Sequence, residues 1–106
     1  MLQLINDRLW AELEPLVPVD RRTTRRGPKG HGDRVVMEGI AYVITRGIAW
    51  NSLPLGVSGV SGLTCYKRHK AWAAVGAWEG IEEALVAGLA RGGIRPRKSL
   101  AVAAGD

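Results

Sequence analysis

With one cysteine, two histidines and ten carboxylates, the chain holds little from which to build a reactive centre. The single Cys65 excludes an internal disulfide and suits a reducing compartment, so a cytoplasmic location is expected. Cys65, His31 and His69 fall short of a four-ligand structural zinc site, and no metal or other cofactor is expected. No apolar run approaches the roughly 18 residues that a membrane span needs, so no membrane partner is expected. The opening "MLQLINDRLWAELEPL" carries acids inside its apolar stretch, which is not the pattern of a signal peptide. "GPKGHGD" lacks the Gly-Lys-Ser/Thr ending of a phosphate loop. Sustained period-two alternation is missing, so strands are not expected, and no internal repeat is visible.

What is present is positive charge. The 106 residues suit one small domain, and 46% hydrophobic content is enough for a core. A net charge of +5 and a pI near 10.0 favour an anionic partner. The charge comes in blocks. Residues 1–20 are net −3, residues 21–34 net +5, residues 64–75 net +3, residues 76–90 net −3 and residues 91–106 net +3.

Periodicity predicts four main helices. The first spans residues 6–17, with Asn6 as N-cap, Leu9, Leu13, Leu16 and Val17 on one face, and Pro18 closing it. Residues 18–32 read as a solvated basic arm. Asp33 caps a second helix to Arg46, with Val36, Ile40, Val43 and Ile44 inward, Met37 beside them, and Gly47 as its stop. A single turn is expected near Trp50 to Leu53. A third helix runs from Ser61 or Gly62 to residue 75. The fourth runs from about Ala77 to Ala90, with Trp78, Ile81, Leu85 and Leu89 inward. The fold class is therefore all-α: a small helix-turn-helix-like bundle in one domain over residues 1–91, with residues 92–106 as an unstructured tail.

The third helix carries the functional reading. Steps of about 100° from Thr64 gather Cys65, Tyr66, His69, Trp72 and Ala73 on an apolar side. Lys67, Arg68, Lys70 and Ala71 fall opposite, with Thr64. A helix presenting cations near its N-terminus, preceded by a longer helix and short connections, has the order of a helix-turn-helix motif. Its N–H groups favour phosphate, and Lys or Arg can reach guanine edges. Thr64, Lys67, Arg68 and Lys70 are the candidate groove residues. Arg21, Arg22, Arg25, Arg26, Lys29 and Arg34 are candidates for backbone contact from the arm. The bland alternatives are a solvated helix face and a solubilising linker. His69 reads as a core histidine with a hydrogen bond, Cys65 as a small core filler, and Glu38 as a lone surface position. Glu79, Glu82 and Glu83 read as a solvated acidic face. No residue is assigned a catalytic role.

Together these stretches resemble the N-terminal domain of bacterial insertion-element transposases of the insertion sequence five group. "LINDRLWAELEPLVP" is similar to that family's opening helix, and a basic "RRGPKG" spacer follows. "RVVMEGIAYVITRGIAWNSLP" is similar to its second helix and its Gly-x-x-Trp-x-x-Leu-Pro element, here Gly47, Trp50, Leu53 and Pro54. "GLTCYKRHKAWAAVGAWEGI" resembles its Thr-x-Tyr/Trp-basic-basic-x-basic-x-Trp helix and the following Gly-x-Trp, here Gly76 and Trp78. The resemblance covers about residues 3–91. His69 stands where the family usually has a bulky apolar residue, and Ala71 where it often has Arg.

The resemblance implies binding of double-stranded DNA at terminal inverted repeats during transposition. It also implies that cutting and joining belong to an RNase H-like domain, placed after this one, whose carboxylates hold two metal ions. That domain is not in this sequence, so no enzymatic activity is expected. Two explanations stay open: a truncated copy, or the first frame of an element whose second frame encodes a separate catalytic chain. A small transcriptional regulator, a protein-interaction module pairing with that catalytic chain, and an inert remnant are the alternative readings.

Overall fold

The computed structural model describes residues 4–18, 32–57 and 59–100. Among them every regular element is helical: α1 (Asp7–Leu13), α2 (Asp33–Arg46), α3 (Gly62–Ala74) and α4 (Trp78–Arg91), with 3-10 turns at Glu14–Leu16 and Trp50–Ser52. The protein is a small all-α bundle.

The caps explain most boundaries. The Asn6 side chain accepts from the Leu9 amide at 2.8 Å and starts α1. The α-helix stops at Leu13, short of the expected residue 17. Pro15 has no amide hydrogen to continue the ladder, so the chain tightens into a 3-10 turn and leaves Leu16 exposed while Val17 is buried. Gly32, not Asp33, is the N-cap of α2; Asp33 is its first helical residue. Gly47 ends α2 in the left-handed region at φ 66°, its amide donating to the Val43 carbonyl at 2.8 Å. Ser61 starts α3 by accepting from the Thr64 amide at 3.2 Å.

The core lies between α2 and the other helices. Residues 36–41 and 43–45 of α2 are all buried, so this helix is covered nearly all round. α3 packs on α2 and on the Trp50 turn, while α1 packs on α4. Two glycines permit close approach. A Cβ on Gly62 would sit 1.7 Å from the Trp50 carbonyl oxygen, and one on Gly88 would sit 2.2 Å from a Leu9 methyl. The first approach seats the start of α3 directly on the backbone of the preceding turn.

Glu38 is not a surface position. It is buried and accepts from the Ile5 amide at 3.1 Å and from the Leu4 amide, tying the segment before α1 to α2. Burial raises its pKa, against the lowering effect of those two amides and of Arg34.

Residues 92–100, expected to begin an unstructured tail, pack against the bundle as a strap. Ile94 and Leu100 lie on the core. The Arg97 and Lys98 amides donate to the Ile44 carbonyl at 2.7 and 3.2 Å, and Lys98 Nζ donates to the Ile48 carbonyl at 2.8 Å. The carbonyls at the end of α2 lack intrahelical donors, and the strap supplies them. Residues 101–106 of the expected tail lie outside the described residues.

Candidate nucleic-acid interface

The orientation of α3 follows from what it buries. Cys65, His69 and Trp72 point into the bundle. At about 100° per residue their mean direction is opposed by Leu63, Lys67, Lys70 and Ala74. All four are exposed, Leu63 at 59%. This outward line differs from the expected one. Thr64 and Arg68 lie on one flank rather than at the crest, and both are half-buried. The Ser61 hydroxyl lies 3.1 Å from Thr64 Oγ1. Arg68 Nη1 donates to Asp33 Oδ1 at 2.6 Å, joining α3 to the first residue of α2.

Tyr66 occupies the other flank, 38% exposed rather than fully on the apolar side. Its ring meets Trp50 edge-on at 5.8 Å, and Lys70 Nζ lies 5.9 Å from its centroid. Lys67 and Lys70 are thus the expected groove residues that face solvent most directly. Leu63, on the same line, is missed by a search for polar side chains because it is apolar. The available signal is an apolar side chain opposite the buried stripe.

Arg34, expected to serve the arm, is turned inward. Its Nη2 donates to Asp7 Oδ1 at 2.9 Å and to the Ile5 carbonyl at 3.1 Å. Arg21, Arg22, Arg25, Arg26 and Lys29 lie outside the described residues.

Behind the outward face stands an aromatic cluster. His69 is 4.6 Å from Trp78, edge to face, and 5.6 Å from Trp50. Its Nε2 lies 3.3 Å from the Leu100 carbonyl oxygen, so as an N–H it donates to the strap. The buried Nδ1 has no hydrogen-bond partner among the described residues. Burial lowers the His69 pKa, the Leu100 carbonyl and Glu82 oppose that, and Lys70 adds to the lowering. The core histidine with a hydrogen bond expected from its position is what the fold holds. Cys65 is equally a packing residue: burial pushes its thiol up to about 11, away from the reactive thiolate.

Glu82 departs from the expected solvated acidic face. It is buried, accepts from Trp78 Nε1 at 2.8 Å and from the Leu100 amide at 3.0 Å, and is bonded by the Ser99 hydroxyl. One carboxylate therefore anchors both an indole of α4 and the strap. The Trp78–Glu82 spacing of one helical turn is the legible sign. Glu79 and Glu83 are exposed. Among the described residues no group of three or more His, Cys, Asp or Glu is placed to hold a metal ion. None of the described helices is long and apolar enough to cross a membrane.

The α3 face lies within a stretch shared with known proteins. Residues 5–82 match the family model described as "Putative transposase of IS4/5 family". The uncharacterized 16.2 kDa protein of insertion element IS402 from Burkholderia cepacia is 36% identical over 88 residues. That match covers 81% of this chain and 60% of the relative, so the chain spans about three-fifths of the relative's length. No solved structure matches. The matched residues include α1, α2, the Trp50 turn and the whole of α3, and the chain belongs to the IS4/5 transposase family.

Proposed function

We propose that this chain is a DNA-binding module of a transposase-related protein, recognising the terminal inverted repeats of its element. The observation that carries this reading is the outward line of α3. Lys67 and Lys70 project from a capped helix whose opposite side is locked into the core, so the cations are presented on a rigid support. The net charge of +5 supplies the long-range attraction. In this reading Lys67, Lys70 and Thr64 face the major groove. Arg68, fastened to Asp33, contacts the flanking backbone, where phosphate competes with Asp33 for its guanidinium, or turns into the groove. Arg21, Arg22, Arg25, Arg26 and Lys29 contact phosphates from the arm. We further propose that strand cleavage and joining are supplied by a catalytic part of the transposition machinery other than this module.

Titrating inverted-repeat and random duplexes against salt tests this. Log affinity is expected to fall with log salt by about 0.9 for each phosphate neutralised, with preference for the repeat. A slope near zero would sink the nucleic-acid reading. Lys67→Ala should narrow the difference between repeat and random duplexes. Replacing Arg25 and Arg26 by Ala should weaken both alike.

A further inference from the structure

The cations of the strap lie outside the helix-turn-helix order and outside the basic arm, yet the fold gathers them in one place. Arg97 packs beside Gly47, its Cβ 3.0 Å from where a Cβ on that glycine would lie. Arg46, the residue before, stacks its guanidinium 5.0 Å from the Tyr42 ring. Arg46, Arg95 and Arg97 are all exposed, and Lys98 is bonded to the Ile48 carbonyl close by. The strap thus brings Arg97 and Lys98 to the C-terminal end of α2 beside Arg46, with Arg95 two residues earlier on the same strap.

Their position relative to α3 gives them a use. One flank of α3 faces the start of α2, because Arg68 is paired with Asp33. The other flank carries Tyr66 against Trp50, so it faces the turn that follows the C-terminal end of α2, where the strap is bonded. The outward line of Leu63, Lys67 and Lys70 runs between the two. A duplex whose major groove receives that line brings its backbones past both flanks.

We propose that Arg46, Arg95 and Arg97 form a second phosphate-binding surface, which grips the DNA backbone on the side of α3 away from the start of α2. The inference rests on the DNA-binding reading above and adds a surface to it. Guanidiniums suit this role because they engage phosphate oxygens through two parallel N–H groups. The strap makes the surface possible: it is held by Ile44, Ile48, Glu82 and His69, so the cations it carries are fixed relative to α3. A purely structural role would have them complement the negative end of the α2 dipole.

The test compares the intact chain with the Arg95→Gln, Arg97→Gln double variant and with Arg46→Gln. The readouts are salt-dependent duplex binding, hydroxyl-radical footprinting and thermal melting. The expected result is a salt slope reduced by about 0.9 for each phosphate no longer neutralised. Repeat and random duplexes should lose affinity equally, and protection should vanish on one side of the site only. Replacing Arg25 and Arg26 should leave the protection given by this surface in place. Arg97→Lys should keep most of the slope, since it keeps the charge. An unchanged slope and footprint in both Gln variants, with the intact chain still binding steeply, would overturn this inference and leave the α3 reading standing. So would a lowered melting temperature without any change in slope, which is the signature of dipole complementation alone. A flat slope in the intact chain would overturn both.

Discussion

Replacing Glu82 by Ala removes the shared anchor of α4 and the strap. Three donors lose their acceptor: Trp78 Nε1, the Ser99 hydroxyl and the Leu100 amide. They are not equivalent. Trp78 is 1% exposed, so its indole N–H is left unpaired in the interior at roughly 1–3 kcal/mol. Ser99 and Leu100 sit on the strap, where water can replace the carboxylate, and each loses about 0.5–1.5 kcal/mol net. Removing a buried carboxylate also relieves its desolvation, which offsets part of the loss. The expected destabilisation is about 2–4 kcal/mol. For a domain of this size that lowers the melting temperature by on the order of 10–20 °C. Thermal unfolding followed by tryptophan fluorescence measures it, and the indole N–H resonance of Trp78 should shift in the same variant. Glu79→Ala, at an exposed position of the same helix, serves as the control and should stay within about 0.5 kcal/mol of the parent. A Glu82→Ala protein melting within about 3 °C of the parent would refute the claim that this carboxylate holds the strap.

Three further outcomes are expected. Gly62→Ala should destabilise by at least about 1–3 kcal/mol and weaken repeat binding, because its Cβ would collide with the Trp50 carbonyl oxygen; denaturant unfolding and duplex titration of one preparation check both. Lowering the pH should destabilise the fold through His69. Its folded pKa lies below 6.5, so the native state binds fewer protons and stability drains away as pH falls through 6.5 toward the folded value. Glu38, raised above 4.5, has the opposite sign and restores some stability as pH falls toward 4.5. Melting temperatures between pH 7.5 and 5.5 should fall for the parent and stay nearly flat for His69→Leu. Finally, incubation with a terminal-repeat duplex and Mg²⁺ or Mn²⁺ should give no nicking or strand transfer unless a catalytic chain is added; metal-dependent product abolished by Glu79→Ala or Glu83→Ala would reverse that expectation.

Local rules account for much of what the sequence makes legible. Asn6, Ser61 and Gly47 act as the stops and starts their chemistry suggests, and the apolar stripes of α2 and α4 are buried as their spacing requires. The departures have one origin: features decided by distant chain. Glu38 and Glu82 look like ordinary surface carboxylates on their helices. Glu38 becomes an interior acceptor because residues 4–5 fold over it, and Glu82, already bonded to Trp78 one turn away, because residues 99–100 cover it. The strap has no periodicity to betray it, since its bonds go to the end of α2 rather than to itself. On α3 the cations are legible, but which of them crest the helix is not. Polarity alone ranks Arg68 with Lys67, whereas the burial of Cys65, His69 and Trp72 sets Arg68 on the flank, beside Asp33.

The seat of α3 on the Trp50 carbonyl makes presentation and readout separable. Its angle is set there by main chain against main chain, an approach that depends on Gly62 having no side chain and not on what its neighbours are. Residues along the outward line can therefore change without tilting the helix that carries them. If the module recognises the ends of its element as proposed above, Leu63, Lys67 and Lys70 are the positions free to change as those ends drift in sequence, while Gly62 stays constant. Related modules reading different ends should accordingly differ most at the positions of these three residues and least at the glycine beneath them.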